Sequence, residues 1–265
     1  MMISYFDQIK SAWAEGSDDN IGIIAAGIAY YVLLALVPLL AVTVLGYGLF
    51  ANPQTVSQHI GLLAENLPAA AAEIIGDQLR RMSEDGDATK ILSLLIALGI
   101  ALFGARNGAR AVMTGLNIAF NTESARGFVR GNLIALAITV AAVVGLAVLG
   151  GVVAAVSTIP GPAGGVVGFV VLFGFATLGA GLLYRVAPNQ PGPEWQAIWP
   201  AASLFSLLWI GATAGFGLYA ANFASYNATY GSLGGVIVLI TWFYLSAFFL
   251  LLGAELAAVR SRKAA

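Results

Sequence analysis

The chain has 265 residues, 59% of them apolar and only 9% charged, with a mean hydropathy of +0.87. Soluble domains carry about one-quarter charged residues, so water is not the solvent this composition suits. Twelve Lys+Arg against thirteen Asp+Glu exclude a generally basic nucleic-acid binder, and the lack of cysteine excludes disulfides, thiolate metal sites and cysteine nucleophiles.

Residues 1–20 come first, and Phe6, Ile9 and Trp13 share a helical face there. That pattern predicts a short helix lying in a membrane interface. The segment is acidic and the apolar stretch after it is too long for an h-region, so a cleaved signal peptide is not expected. No charged side chain occurs between Asp19 and Glu65, between Arg130 and Arg185, or between Glu194 and Glu255. A spanning helix needs about 20 apolar residues, so each of the last two gaps holds two spans and a turn.

The first span is placed at about Ile21–Phe50, with Asp18, Asp19 and Asn20 supplying N-cap chemistry. Residues 51–90 follow as the one sizeable outer segment. Val56, Ile60, Leu63 and Leu67, then Ile75, Leu79 and Met82, recur at helical spacing around a break near Pro68. They predict a small helical cap that serves as a lid, a docking surface or a mere connection. The second span begins at Ile91 and is too short if it stops at Ala105, so it is expected to continue through Arg106 and Arg110. Beyond them the stripe Ala109, Val112, Met113, Leu116, Phe120 opposes Thr114, Asn117 and Asn121. It fits either the end of that span or an interfacial elbow.

The third and fourth spans fall at about Gly131–Ser157 and Gly164–Tyr184, joined by a Pro/Gly turn. The fifth is expected at about Trp199–Ala221, with Pro200 in its first turn. The sixth is expected at about Leu233–Ala258, followed by a basic tail, 259–265. The fold class expected is therefore an all-α integral membrane domain of six spans.

Sidedness follows from Lys and Arg in the short loops. Lys10, Arg106, Arg110, Arg126, Arg130, Arg185, Arg260, Arg262 and Lys263 fall on one side, and Arg80, Arg81 and Lys90 on the other. The bias places both termini in the cytoplasm.

Within the spans, Glu255 stands out as a carboxylate where charge is costly. Arg106, Arg110 and Arg185 fall at the same membrane face and are its expected counter-ions. The pair either locks the bundle or couples transport to a proton or substrate, unless Glu255 simply snorkels to water. Pro38 removes a backbone hydrogen bond from the first span, which shapes packing or frees a carbonyl to line a cavity. Tyr30, Tyr31, Trp209 and Trp242 carry polar tips at membrane depth, and either pack the core or line such a cavity. Small-xxx-small spacings such as Gly211/Gly215 permit close helix approach.

Two stretches carry a resemblance. Ala25-Ala-Gly-Ile-Ala-Tyr-Tyr-Val-Leu-Leu-Ala-Leu-Val-Pro-Leu-Leu40 is similar to the opening signature of the YihY/BrkB family of bacterial inner-membrane proteins, with Ala35 where many relatives have serine. Tyr230-Gly231-Ser232-Leu-Gly234-Gly, then Trp242, then Gly253-Ala-Glu255-Leu resemble its C-terminal pattern, and the likeness runs over essentially the whole chain. The resemblance implies six spans, both termini inside and an inner-membrane location. Members have carried labels of ribonuclease, of serum resistance and of envelope lipid transport. Phosphodiester hydrolysis calls for clustered metal ligands or a paired acid and base, whereas the chain's sole histidine, His59, falls in the outer segment. No catalysis, cofactor or nucleic-acid partner is expected. The expected role is transport or organisation of a lipidic or apolar envelope substrate, with membrane lipids as partners. The alternative is a scaffold that binds other membrane proteins or further copies of itself.

Overall fold

A computed structural model describes residues 5–50, 87–122, 127–189, 193–223 and 232–264. Among them lie seven helices and no strand: α1 (Tyr5–Asp18), α2 (Ile21–Phe50), α3 (Asp87–Ala119), α4 (Phe128–Val156), α5 (Pro162–Val186), α6 (Trp195–Phe223) and α7 (Ser232–Ala264). Leu95–Ala119, Val129–Val156, Pro162–Val186, Trp195–Tyr219 and Gly235–Arg262 are each long and apolar enough to cross a bilayer, and the bent pair α1–α2 raises the count to six. Helix α2 has 30 residues, none of them charged. At about 1.5 Å per residue it exceeds a hydrocarbon core of about 30 Å. The all-α, multi-span architecture expected from the charge gaps is the one observed.

By internal packing the chain falls into two compact units, Met1–Tyr30 with Arg106–Ala265, and Tyr31–Ala105. In the second unit α2 and α3 meet at Ala35 and Gly104. In the first, α7 is the hub, packing on α6, α1 and α5, while α5 packs on α6 and on α4. All residues from Leu251 to Val259 are buried. A helix closed in on every side must be apolar all round, and apart from Glu255 this segment is. Helix α4 is the opposite case: Val129, Leu133, Val140, Val144, Leu146 and Val148 are exposed. Such a surface suits hydrocarbon surroundings better than water.

Several boundaries move. Helix α3 runs unbroken past Arg106 and Arg110, so the stripe after them is the end of a span rather than an elbow. Ala109, Met113 and Leu116 are buried. Helix α6 begins at Trp195, which puts Pro200 inside it and not in the first turn. One intrahelical hydrogen bond is lost there, and the Pro200 carbonyl accepts from Tyr5 Oη at 3.3 Å. The basic tail is not a separate segment, because α7 continues to Ala264. The expected outer cap lies, over 51–86, outside the described residues.

Asn20 makes the break between α1 and α2. Its φ of 55° lies in the left-handed region that Asn tolerates better than most residues. That break ends α1, and α2 leaves at a bend of 70°. The Asn20 carbonyl accepts from the amides of Ile23 and Ile24 at 2.9 and 3.3 Å, and its side-chain amide donates to the Asp18 carbonyl at 3.0 Å.

Candidate functional site

The elbow between α1 and α2 rests on the last turns of α7. Ala12 and Gly16, one turn apart, form the buried face of α1. A β-carbon at Gly16 would stand 2.8 Å from Ile21 Cδ1 and 3.5 Å from Glu255 Cγ, so its absence lets α1 lie close over Glu255. Around this contact Arg260 Nη1 donates to Gln8 Oε1 at 2.6 Å, with its guanidinium 5.8 Å from the Tyr5 ring. Arg262 pairs with Glu15, and Trp13 meets Phe248 edge-on at 5.9 Å. Beside Trp13 and Phe248 lies a cleft of about 250 Å³. Trp13, Ile21, Ile23 and Phe248 give it apolar walls, while Ser17 and Asn20 give it a polar edge. Trp13 and Ile23 are themselves 59% and 74% exposed.

Glu255 sits beneath this cleft, nine residues before the end of α7. It is 0% exposed, and among the described residues neither carboxylate oxygen has a hydrogen-bond donor. The charged groups acting on it are Asp19, Glu15 and Arg262. The expected pairing with Arg106, Arg110 or Arg185 is not formed. Arg106 donates instead to Asn132 Oδ1 at 2.7 Å, tying α3 to α4. Arg185 donates to the Pro193 carbonyl at 2.5 Å and lies 6.0 Å from the Trp195 ring. Arg110 points outward, exposed. Membrane face alone could not separate these arginines from Arg262, which reaches the elbow because α7 is longer than its apolar stretch.

The aromatic candidates divide. Trp209 and Trp242 come together at the α6–α7 seam with ring centroids 6.2 Å apart. The Trp209 indole donates to Ser246 Oγ at 3.0 Å, and the Trp242 indole to Thr213 Oγ1 at 3.2 Å. Both polar tips are thus satisfied between helices, as burial in hydrocarbon requires. Tyr30 and Tyr31 are exposed, at 52% and 37%. Helix α2 continues through Pro38, whose side chain lies outside the described residues, as do Tyr230 and Gly231. Ser232 and Gly234 fall in the first turn of α7. Gly253 lies at the α5–α6–α7 crossing, where a β-carbon would run into Tyr184 Oη and stand 3.2 Å from Phe205 Cβ.

The sequence reading gave Asp19 only a capping role and did not single out Glu15, Ala12 or Gly16. Glu15 and Asp19, like Ala12 and Gly16, are spaced i, i+4, which puts each pair on one helical face. The stronger Phe6–Ile9–Trp13 pattern drew the eye to the neighbouring face. The Arg262–Glu15 pair is half-exposed, so Arg262→Ala is expected to cost less than about 1 kcal/mol of stability, measured by denaturation in detergent.

Residues 12–265 match the family model of virulence factor BrkB. The chain is 29% identical over 259 residues to the ribonuclease-like protein YfkH of Bacillus subtilis, covering 90% of each chain. It is 28% identical over 253 residues to a UPF0761 membrane protein of Pseudoalteromonas translucida, covering 91% of this chain and 81% of that one. A UPF0761 membrane protein of Tolumonas auensis is 44% identical over 77 residues, 29% of this chain and 25% of that one. No solved structure matches it.

Proposed function

The chain belongs to the virulence factor BrkB family and is a membrane protein of apolar helices, and from that premise we propose that it moves or organises a lipidic or otherwise apolar substrate of the cell envelope. The observation that carries this reading is the elbow cleft, with apolar walls at Trp13, Ile21, Ile23 and Phe248 beside a polar edge at Ser17 and Asn20. A lipid has the same division, between acyl chain and headgroup, over a few ångströms. The positive-inside bias sets the elbow at the cytoplasmic face of the inner membrane, with both ends of the chain in the cytoplasm. Exposed Phe6 and Trp13 on α1 suit the headgroup boundary there.

RNA cleavage is not part of the reading, although one relative carries a ribonuclease-like name. The chain has one histidine and no cysteine, which leaves little with which to activate water or a ribose hydroxyl. Ser17→Trp, on the exposed edge of the cleft, tests the lipid reading directly. Mass spectrometry of detergent-free preparations is expected to find co-purified lipid with the parent chain and several-fold less with the variant at equal thermal stability. Equal lipid content would sink the reading.

A second reading, a scaffold for other membrane proteins or further copies of the chain, is favoured by one face of α6. Gly211 and Gly215 are exposed there, and a β-carbon on either would meet nothing within 4 Å. Lipid fills such a face poorly and another helix fills it well. Under this reading Gly215→Leu abolishes pull-down of partners and leaves bound lipid unchanged; retained partners would refute it.

A further inference from the structure

Glu255 lies in a buried stretch of α7, with both carboxylate oxygens inaccessible and, among the described residues, without a donor. An ionised carboxylate is among the most costly groups to hold that way, because it loses water and gains nothing in return. The groups facing it do not repair the loss. From α1 and its junction come two further carboxylates, Glu15 and Asp19. From α7 comes Arg262, already paired with Glu15, while Arg260 is held by Gln8 and the Tyr5 ring. Helix α2 brings no charge. On α3, Arg106 is bound to Asn132 and Arg110 is exposed. On α5, Arg185 is bound to Pro193. A metal ion does not answer either, since among the described residues no three His, Cys, Asp or Glu side chains are placed to hold one.

A proton fits. It needs no room, it removes the charge, and it leaves a neutral carboxyl in the enclosed site. We propose that Glu255, closed over by α1 at Gly16, is a proton-binding site that holds one proton while α1 is docked on α7 and releases it when α1 lifts. Loading forms one O–H bond on the Glu255 carboxyl, with the proton taken from water. Release breaks that bond and returns the proton to water, leaving a negative charge on the Glu255 carboxylate.

The contacts that hold α1 down are suited to yielding. Besides the buried Ala12 and Gly16 face, they include a half-exposed ion pair, a side-chain hydrogen bond and a ring contact to Arg260, a Tyr5 hydrogen bond to Pro200 and one aromatic edge, with the Asn20 break as a ready hinge. Because the cleft is walled by α1 on one side and by α2 and α7 on the other, lifting α1 opens it. This last step rests on the lipid reading of the cleft; the proton site does not.

Infrared spectroscopy in lipid nanodiscs tests the site through the C=O stretch of a protonated carboxylic acid. The parent chain is expected to show this band at neutral pH, and Glu255→Gln to lack it. A folded parent without the band, or a band unchanged in Glu255→Gln, overturns the proposal. The chain is free of cysteine, so Ala14→Cys with Ser261→Cys reports the α1–α7 distance through paired spin labels. As pH is raised until the band vanishes, that distance is expected to lengthen in the same titration. In the Glu255→Gln background it is expected to stay short throughout. A distance that holds while the band disappears overturns the coupling. Should Glu255→Gln fail to fold, the titration of the parent alone decides. Absence of the band from the folded parent at neutral pH refutes the proton site, whereas lipid content unchanged in Ser17→Trp refutes the cleft, so the two failures are distinct.

Discussion

Gly253→Leu is expected to prevent α7 from seating between α5 and α6 and to leave little folded protein in detergent. Even the β-carbon of Gly253→Ala would overlap Tyr184 Oη and press on Phe205 Cβ at 3.2 Å and the Ala201 carbonyl at 3.3 Å. Two of those neighbours, a backbone carbonyl and a β-carbon, have no rotamer with which to move aside. Overpacking of this kind costs about 1–3 kcal/mol for a small addition, and leucine adds three more carbons in the same place. The alanine variant offers a cleaner measurement. Its cost should fall in a Tyr184→Phe background, which removes the overlapping hydroxyl, and a double-mutant cycle by chemical denaturation reads that coupling. A cycle that closes with no coupling would mean that Gly253 is not in contact with Tyr184.

The second large effect belongs to Tyr184 itself. It is 0% exposed and donates to the Leu250 carbonyl at 2.8 Å, so it both fills the crossing and satisfies a helix carbonyl. Tyr184→Ala is expected to cost about 3 kcal/mol, the low end of aromatic-to-alanine changes. Separated helices in lipid already lie in an apolar solvent, so packing and cavity terms dominate over transfer from water. Tyr184→Phe should cost only about 0.6 kcal/mol, the average for a hydrogen bond between membrane helices. A phenylalanine variant as unstable as the alanine one would show that the hydroxyl, and not the ring, holds the crossing.

The spans were legible because a bilayer imposes its own arithmetic. A stretch free of charge from Arg130 to Arg185 has room for two crossings and a turn, and α4 and α5 fill it. Continuation of α3 past Arg106 was equally forced by length. Pro200 and the basic tail were misplaced for one reason: charge and proline mark where a helix is free to stop, but packing decides where it does. Pro200 sits inside α6, and Arg260 and Arg262 continue α7 because α1 receives them.

The site was legible in its centre and not in its surroundings. Glu255 announced itself as a carboxylate in an apolar run, but its neighbours come from residues about 240 positions earlier in the chain. Membrane face restricts candidate partners without choosing among them. The choice was made by two small residues, Ala12 and Gly16, whose lack of bulk brings Glu15 and Asp19 over α7. Trp209 and Trp242 show the same limit from the other direction. Their need for hydrogen-bond partners was evident, yet Ser246 and Thr213 could be identified only once α6 and α7 were side by side.

The most direct measurement of whether the elbow is the working site uses a photoreactive residue in place of Phe248, with the same residue at Leu218 as a control. Phe248 walls the cleft, whereas Leu218 is 70% exposed on α6. Irradiation after extensive detergent washing is expected to trap lipid at position 248 and little at 218. Equal capture at the two positions, or none at 248, would contradict a lipid site at the elbow.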